Sequence, residues 1–168
     1  MTSATHHNIA AEFERALDAF DPDGSLMATD TGHLARTAAA AVIGWADAWN
    51  NHLGPFYTAS HVRSLLSVDG RPISRQAVAQ RANLVGLTTG SGRVVYPAFQ
   101  FRTGSVPDNL GDILGILSEQ IVSRWTVASW LVTPNAELNS DTPLDLLEAG
   151  TPQPAIEAAH RWALALGA

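Results

Sequence analysis

The 168-residue sequence contains no cysteine and no lysine. The first absence excludes a disulfide scaffold and any thiolate metal site. The second leaves arginine as the sole strong base, which together with abundant alanine reads as the composition of a GC-rich genome. Long hydrophobic runs are missing too. The stretch 38–43 is far too short to cross a bilayer, and residues 1–9 are polar, poor in base and followed by no apolar run, so no signal peptide is expected. The expectation is a soluble, cytoplasmic protein with no membrane partner. Catalytic signatures are also lacking. No Gly-x-Ser-x-Gly, phosphate loop or dinucleotide fingerprint occurs. His6, His7, His33, His52, His61 and His160 show no metal-ligand spacing. No enzyme activity, cofactor or metal is expected.

What is present is unevenly charged. The net charge of −6 argues at first against nucleic acid, but its distribution is segmental. Residues 1–54 carry seven acids against Arg15 and Arg36, a net of −5. Residues 55–102 carry only Asp69 against Arg63, Arg71, Arg75, Arg81, Arg93 and Arg102, a net of +5. Residues 103–168 carry eight acids against Arg124 and Arg161, a net of −6. A basic block between acidic ones marks a nucleic-acid-binding module, because each neutralised phosphate releases counterions. A solvated arginine face is the plain alternative.

Apolar periodicity predicts a mainly α protein. Ile9, Phe13, Leu17 and Phe20 fall on one helix face, ended by Asp21-Pro22-Asp23-Gly24. A longer helix follows from an Asp30 or Thr31 cap through Leu34, Ala38, Val42, Trp45 and Trp49, stopping before Gly54-Pro55. Trp45 and Trp49 are four apart and suit a core or dimer contact. Thr58 can cap a short helix turning Val62, Leu65 and Leu66 inward. Val68-Asp69-Gly70-Arg71-Pro72 turns, and Ser74 can cap a second helix through Leu84. Two β-prone stretches around Gly90-Ser91-Gly92 then read as a hairpin. Helix, turn, helix and hairpin, in that order, are the parts of a winged or excisionase-like helix-turn-helix. After Val106-Pro107-Asp108 the chain is helical again, with Thr142-Pro143 opening the penultimate helix and Thr151-Pro152 the last. The domains expected are an acidic helical region 1–54, a DNA-binding module 55–102 and an α-helical domain 103–168.

The second helix of a helix-turn-helix reads the major groove with its first turns. Those positions hold Arg75, Gln76, Ala79 and Gln80. Arginine can grip guanine and glutamine adenine. Thr58 and Ser74 occupy cap or phosphate-ligand positions, Arg63 and Arg81 add charge, and Arg93 sits at the hairpin tip within reach of phosphate or minor groove.

In the last third, Trp130-Leu131-Val132-Thr133-Pro134-Asn135, Leu138, and Thr142-Pro143-Leu144-Asp145-Leu146-Leu147-Glu148-Ala149-Gly150 resemble the toxin-binding domain of the Xre/MbcA/ParS-like antitoxins. Tyr96-Pro97-Ala98-Phe99-Gln100-Phe101 is similar to the segment that links a DNA-binding hairpin to such a domain. The match covers roughly residues 93–168. The resemblance implies a domain that binds a cognate toxin, commonly one of RES fold that consumes NAD, and a DNA-binding part that represses its own operon. The acidic region 1–54 has no counterpart there, and the DNA-binding part looks excisionase-like where the family usually has an Xre helix bundle. By their chemistry, Glu137, Asp141, Asp145 and Glu148 form the acidic surface suited to a basic partner, and the resemblance adds the stretch from Arg161 onward.

The expected function is therefore that of a DNA-binding antitoxin and autorepressor, acting as a homodimer on double-stranded DNA and neutralising a RES-like toxin. A stand-alone transcriptional or phage-type regulator is the alternative, and a structural or interaction protein without DNA is a third.

Overall fold

The computed structural model describes residues 2–20 and 30–167. It is mainly helical, with one small three-stranded antiparallel sheet. Two compact units divide the chain, Met1–Trp49 with Thr88–Arg93, and Asn50–Leu87 with Val94–Ala168. Apart from the hairpin tip, the modules expected at 55–102 and 103–168 thus share one compact unit.

The first unit is built on α1 (Thr2–Phe20) and α2 (Thr31–Leu53). Neither proline nor glycine interrupts α1, so the helix runs from Thr2 and carries His6 and His7 exposed on it. Asp30 caps α2: its Oδ1 accepts from the amides of Gly32 (2.9 Å) and His33 (3.1 Å). The turn expected at 21–24 and the side chains of Ile9, Phe20, Val42 and Trp45 lie outside what the structure describes. Among the described residues of 2–49, none is fully buried.

The second unit begins where α2 ends. Strand β1 (Phe56–Thr58), absent from the sequence reading, pairs antiparallel with β3 (Val94–Pro97), opposing Phe56 with Pro97, Tyr57 with Tyr96 and Thr58 with Val95. Strand β2 (Leu87–Thr88) lies on the far side of β3. Between β1 and β2 run α3 (Ala59–Leu65) and α4 (Arg75–Ala79). Their turn is a two-residue hairpin in which Val68 and Arg71 exchange backbone hydrogen bonds at 3.0 and 2.9 Å. Asp69 (φ 50°) and Gly70 (φ 73°) both adopt the left-handed conformations such a turn demands.

Val62, Val78, Leu84 and Tyr96 form the core here, with Tyr57, Leu66, Ile73 and Phe101 packed against them. Leu65 departs from expectation and is exposed. Val62 and Leu66, four apart, take the one inward face of a helix too short to offer a second. The predicted continuation of α4 to Leu84 is also absent; the helix stops at Ala79. Leu84, Val85 and Leu87 are all buried, and Val85 is engaged by a distant side chain instead of by a helical turn.

The remainder is α5 (Leu110–Ile116), α6 (Arg124–Val132), α7 (Pro143–Glu148) and α8 (Gln153–Ala165). Leu110, Ile113, Leu114, Leu117, Val127, Leu131 and Leu144 are buried together with Ala155 and Ala159. Thr142 caps α7 with Pro143 in its first turn, as the sequence predicts. Leu166, expected within the last helix, is its exposed C-cap. Arg124 closes α5 by donating to the carbonyls of Leu114 (3.0 Å) and Leu117 (3.2 Å).

Several contacts cross the boundary expected at 102/103. Phe56 meets Trp125 edge-on at 6.0 Å. The His52 ring and the Ser129 hydroxyl are hydrogen-bonded at 2.9 Å. A Cβ on Gly111 of α5 would lie 3.2 Å from the Asn83 Cβ, so this glycine permits close packing against the chain leaving α4.

Candidate functional site

The short helix α4 is started by Ser74, whose Oγ accepts from the Ala77 amide at 3.0 Å. Thr58 starts α3 in the same way, accepting from the His61 amide at 3.3 Å. Both hydroxyls therefore serve as caps. On α4, Val78 faces the core, whereas Arg75, Gln76, Ala79 and the C-cap Gln80 are exposed. The set named from the sequence as base readers thus shares one exposed helical turn.

The six arginines of the basic block do different work. Arg63 is half-buried; its Nε donates to the Ile73 carbonyl at 2.7 Å while its own carbonyl accepts from the Ile73 amide at 3.2 Å. It fastens the turn that delivers α4. Arg102 forks onto acids of α7, with Nε and Nη2 donating to Glu148 at 3.2 and 2.8 Å and Nη2 to Asp145 at 3.0 Å. Arg71, Arg75, Arg81 and Arg93 are exposed and make no side-chain hydrogen bond or ion pair among the described residues. Arg71, which precedes α4 in the turn, was counted in the charge pattern but not named as a site. Arg93 lies at the hairpin tip, which the Thr89 side chain organises by donating to the Arg93 carbonyl (3.0 Å) and accepting from its amide (3.2 Å). His61 is exposed and stacked on Tyr57, with centroids 4.2 Å apart.

The acids named for partner binding are also partly engaged. Asp145 and Glu148 hold Arg102, and the Asp145 carboxyl also accepts from the Thr142 hydroxyl at 2.6 Å. That hydroxyl first, and Arg102 after it, hold the Asp145 carboxyl below its ordinary range. The same carboxylates raise the Arg102 guanidinium, the Glu148 hydrogen bond contributing most. Glu137 pairs with Arg161 at 3.0 Å. Asp141 is exposed, and its carbonyl accepts from the Asn135 amide at 3.1 Å.

Beside the Glu137–Arg161 pair, the rings of Trp130 and Trp162 stack at 5.5 Å. Together with Asn135 and Ala158 these four side chains line an open cleft of about 280 Å³. The sequence named its parts separately, and only the fold of α6 against α8 joins them. No group of His, Asp and Glu side chains among the described residues is placed to hold a metal ion, and no helix among them is long and apolar enough to cross a membrane.

No protein-family model matches the chain, and comparisons with curated proteins and with solved structures likewise return no match.

Proposed function

We propose that this chain is a sequence-specific binder of double-stranded DNA that reads bases with Arg75, Gln76 and Gln80 from a winged helix-turn-helix. The observation that carries the reading is the division of labour among the arginines. Arg63 and Arg102 are spent on the fold, while Arg71, Arg75, Arg81 and Arg93 keep exposed guanidinium groups with no partner among the described residues. Unpaired arginine beside exposed glutamine suits phosphate and base-edge contacts together. The order β1, α3, α4, β2, β3 with β3 central supports a winged arrangement.

The role we assign to this binding is that of an antitoxin and autorepressor whose α5–α8 region takes up a RES-like toxin. The resemblance of residues 93–168 supports it, and so does the aromatic cleft, a half-buried pair of tryptophans flanked by an exposed ion pair that a partner could exchange. With Asp145 and Glu148 occupied by Arg102, the partner face centres on Glu137, Asp141, Arg161 and the two tryptophans.

The deciding experiment is selection from a random DNA pool, followed by affinity measurement over a salt series. Three phosphate-engaging arginines, Arg71, Arg81 and Arg93, predict a log–log slope of roughly −3 per protein chain. Binding without salt dependence, or no enriched sequence, would refute the DNA reading.

A further inference from the structure

The α1–α2 hairpin has helices of 19 and 23 residues, yet contributes no fully buried residue among the described positions of 2–49. Helices of this length draw most of their stability from a covered apolar face. Such a face is present and open. A groove of about 440 Å³ runs between the helices, lined by the small side chains of Ala10, Ala35, Ala38 and Ala39, by the large ones of Phe13 and Ile43, and by His6. Phe13 is 39% exposed and Ile43 62%.

We infer that this groove is filled by the same groove of a second copy of the chain, related by a two-fold axis. The chemistry selects a copy of itself on three counts. Each hairpin offers both parts of a packing joint: large side chains and a set of alanines that admits them. In an isologous pair, Phe13 and Ile43 of one copy pack on the alanines of the other, and the reverse.

The charges beside the groove are self-complementary as well. Glu14 follows Ala10 by four residues, and Arg36 precedes Ala39 by three and Ile43 by seven, so each flanks the groove on its own helix. Both are exposed and have no ion-pair partner among the described residues. A two-fold axis through the groove lets Glu14 of each copy face Arg36 of the other.

The area suffices. Two adjacent helices of this length present a flat face on the order of 600 Å², which meets the lower end of the roughly 600–1,000 Å² per partner that stable interfaces bury. The inference does not depend on DNA binding, and it is tested without DNA.

Sedimentation equilibrium of the full chain at micromolar concentration should give twice the 17.8 kDa chain mass. Ile43→Glu should give a monomer with unchanged helicity by circular dichroism. If that variant fails to fold, the charge pair decides. Glu14→Arg and Arg36→Glu should each weaken self-association about three- to tenfold, and an equimolar mixture of the two should restore a mixed dimer. A monomeric wild type overturns the inference. So does a folded Ile43→Glu variant that stays dimeric, or charge-reversed chains that associate no better mixed than apart. A monomeric wild type that still binds DNA would remove this inference and leave the functional reading standing.

Discussion

The side-chain amide of Gln100 holds both backbone polar groups of Val85, fifteen residues away. Its Oε1 accepts from the Val85 amide at 2.9 Å, and its Nε2 donates to the Val85 carbonyl at 3.1 Å and to the Pro97 carbonyl at 3.0 Å. Both residues are fully buried. The carboxamide stands where a neighbouring strand would otherwise bond, so the chain can leave α4 early and enter β2 extended. Gln100 thereby holds the extended segment between α4 and β2.

Replacing Gln100 with alanine strands a buried N–H and a buried carbonyl. The expected loss is about 2–4 kcal/mol, read as a lower urea midpoint with little change in slope. A loss below about 1 kcal/mol would mean that water replaces the amide and that this bond does not hold the exit from α4.

Arg75 and Arg71 should behave differently on DNA. Arg75→Ala is expected to cost about 1–3 kcal/mol on the preferred sequence and to relax preference at one position. Arg71→Ala should weaken all sequences alike and reduce the salt slope by about one. Equal losses for Arg75→Ala on every sequence would reassign Arg75 to phosphate.

The Arg102–Asp145–Glu148 cluster gives a signed pH dependence. The Asp145 carboxyl is held below its ordinary value by the Thr142 hydroxyl and by Arg102. Its folded-state pKa is therefore lower than its unfolded one. The associated stability is fully present above the ordinary carboxylate range and is lost as pH falls through the folded value. Asp145 is half-exposed, so solvent screening limits the effect to less than about 1 kcal/mol. Asp145→Asn should lower the denaturant midpoint at neutral pH, and the two proteins should converge in acid. A gap that is constant with pH would show that ionisation of Asp145 contributes nothing.

The aromatic cleft can be separated from the DNA surface. Glu137→Arg reverses one member of the exposed pair with Arg161, and Trp162→Ala removes one of the stacked rings. Both should weaken capture of a protein partner about tenfold or more while DNA affinity changes less than about twofold. Retention of partner binding by both variants would place the contact elsewhere on α5–α8.

The candidate site was partly legible in the residues alone. Arg75, Gln76 and Gln80 could be placed because the Ser74 cap dates the start of α4 and a helical turn carries them outward together. Arg63 and Arg102 could not be sorted from the free arginines. Their partners, the Ile73 carbonyl and the Asp145–Glu148 pair, are ten and more than forty residues away. Gln100 offered one faint signal, a lone amide within the apolar segment 96–101, and no local rule says what such an amide will hold.

Sequence by itself determined the features whose causes lie within about one turn of chain. Asp30, Thr58, Ser74 and Thr142 start helices because a side-chain oxygen reaches an amide two or three residues on. Asp69-Gly70 turns because both tolerate positive φ. Tertiary structure decided the rest: the early end of α4, the existence of β1, the exposure of Leu65, and the joining of 55–102 to 103–168 in one compact unit. Each depends on a partner supplied from far along the chain. A backbone group or charge can be satisfied locally or remotely at similar free energy, and only the assembled core settles which partner is within reach.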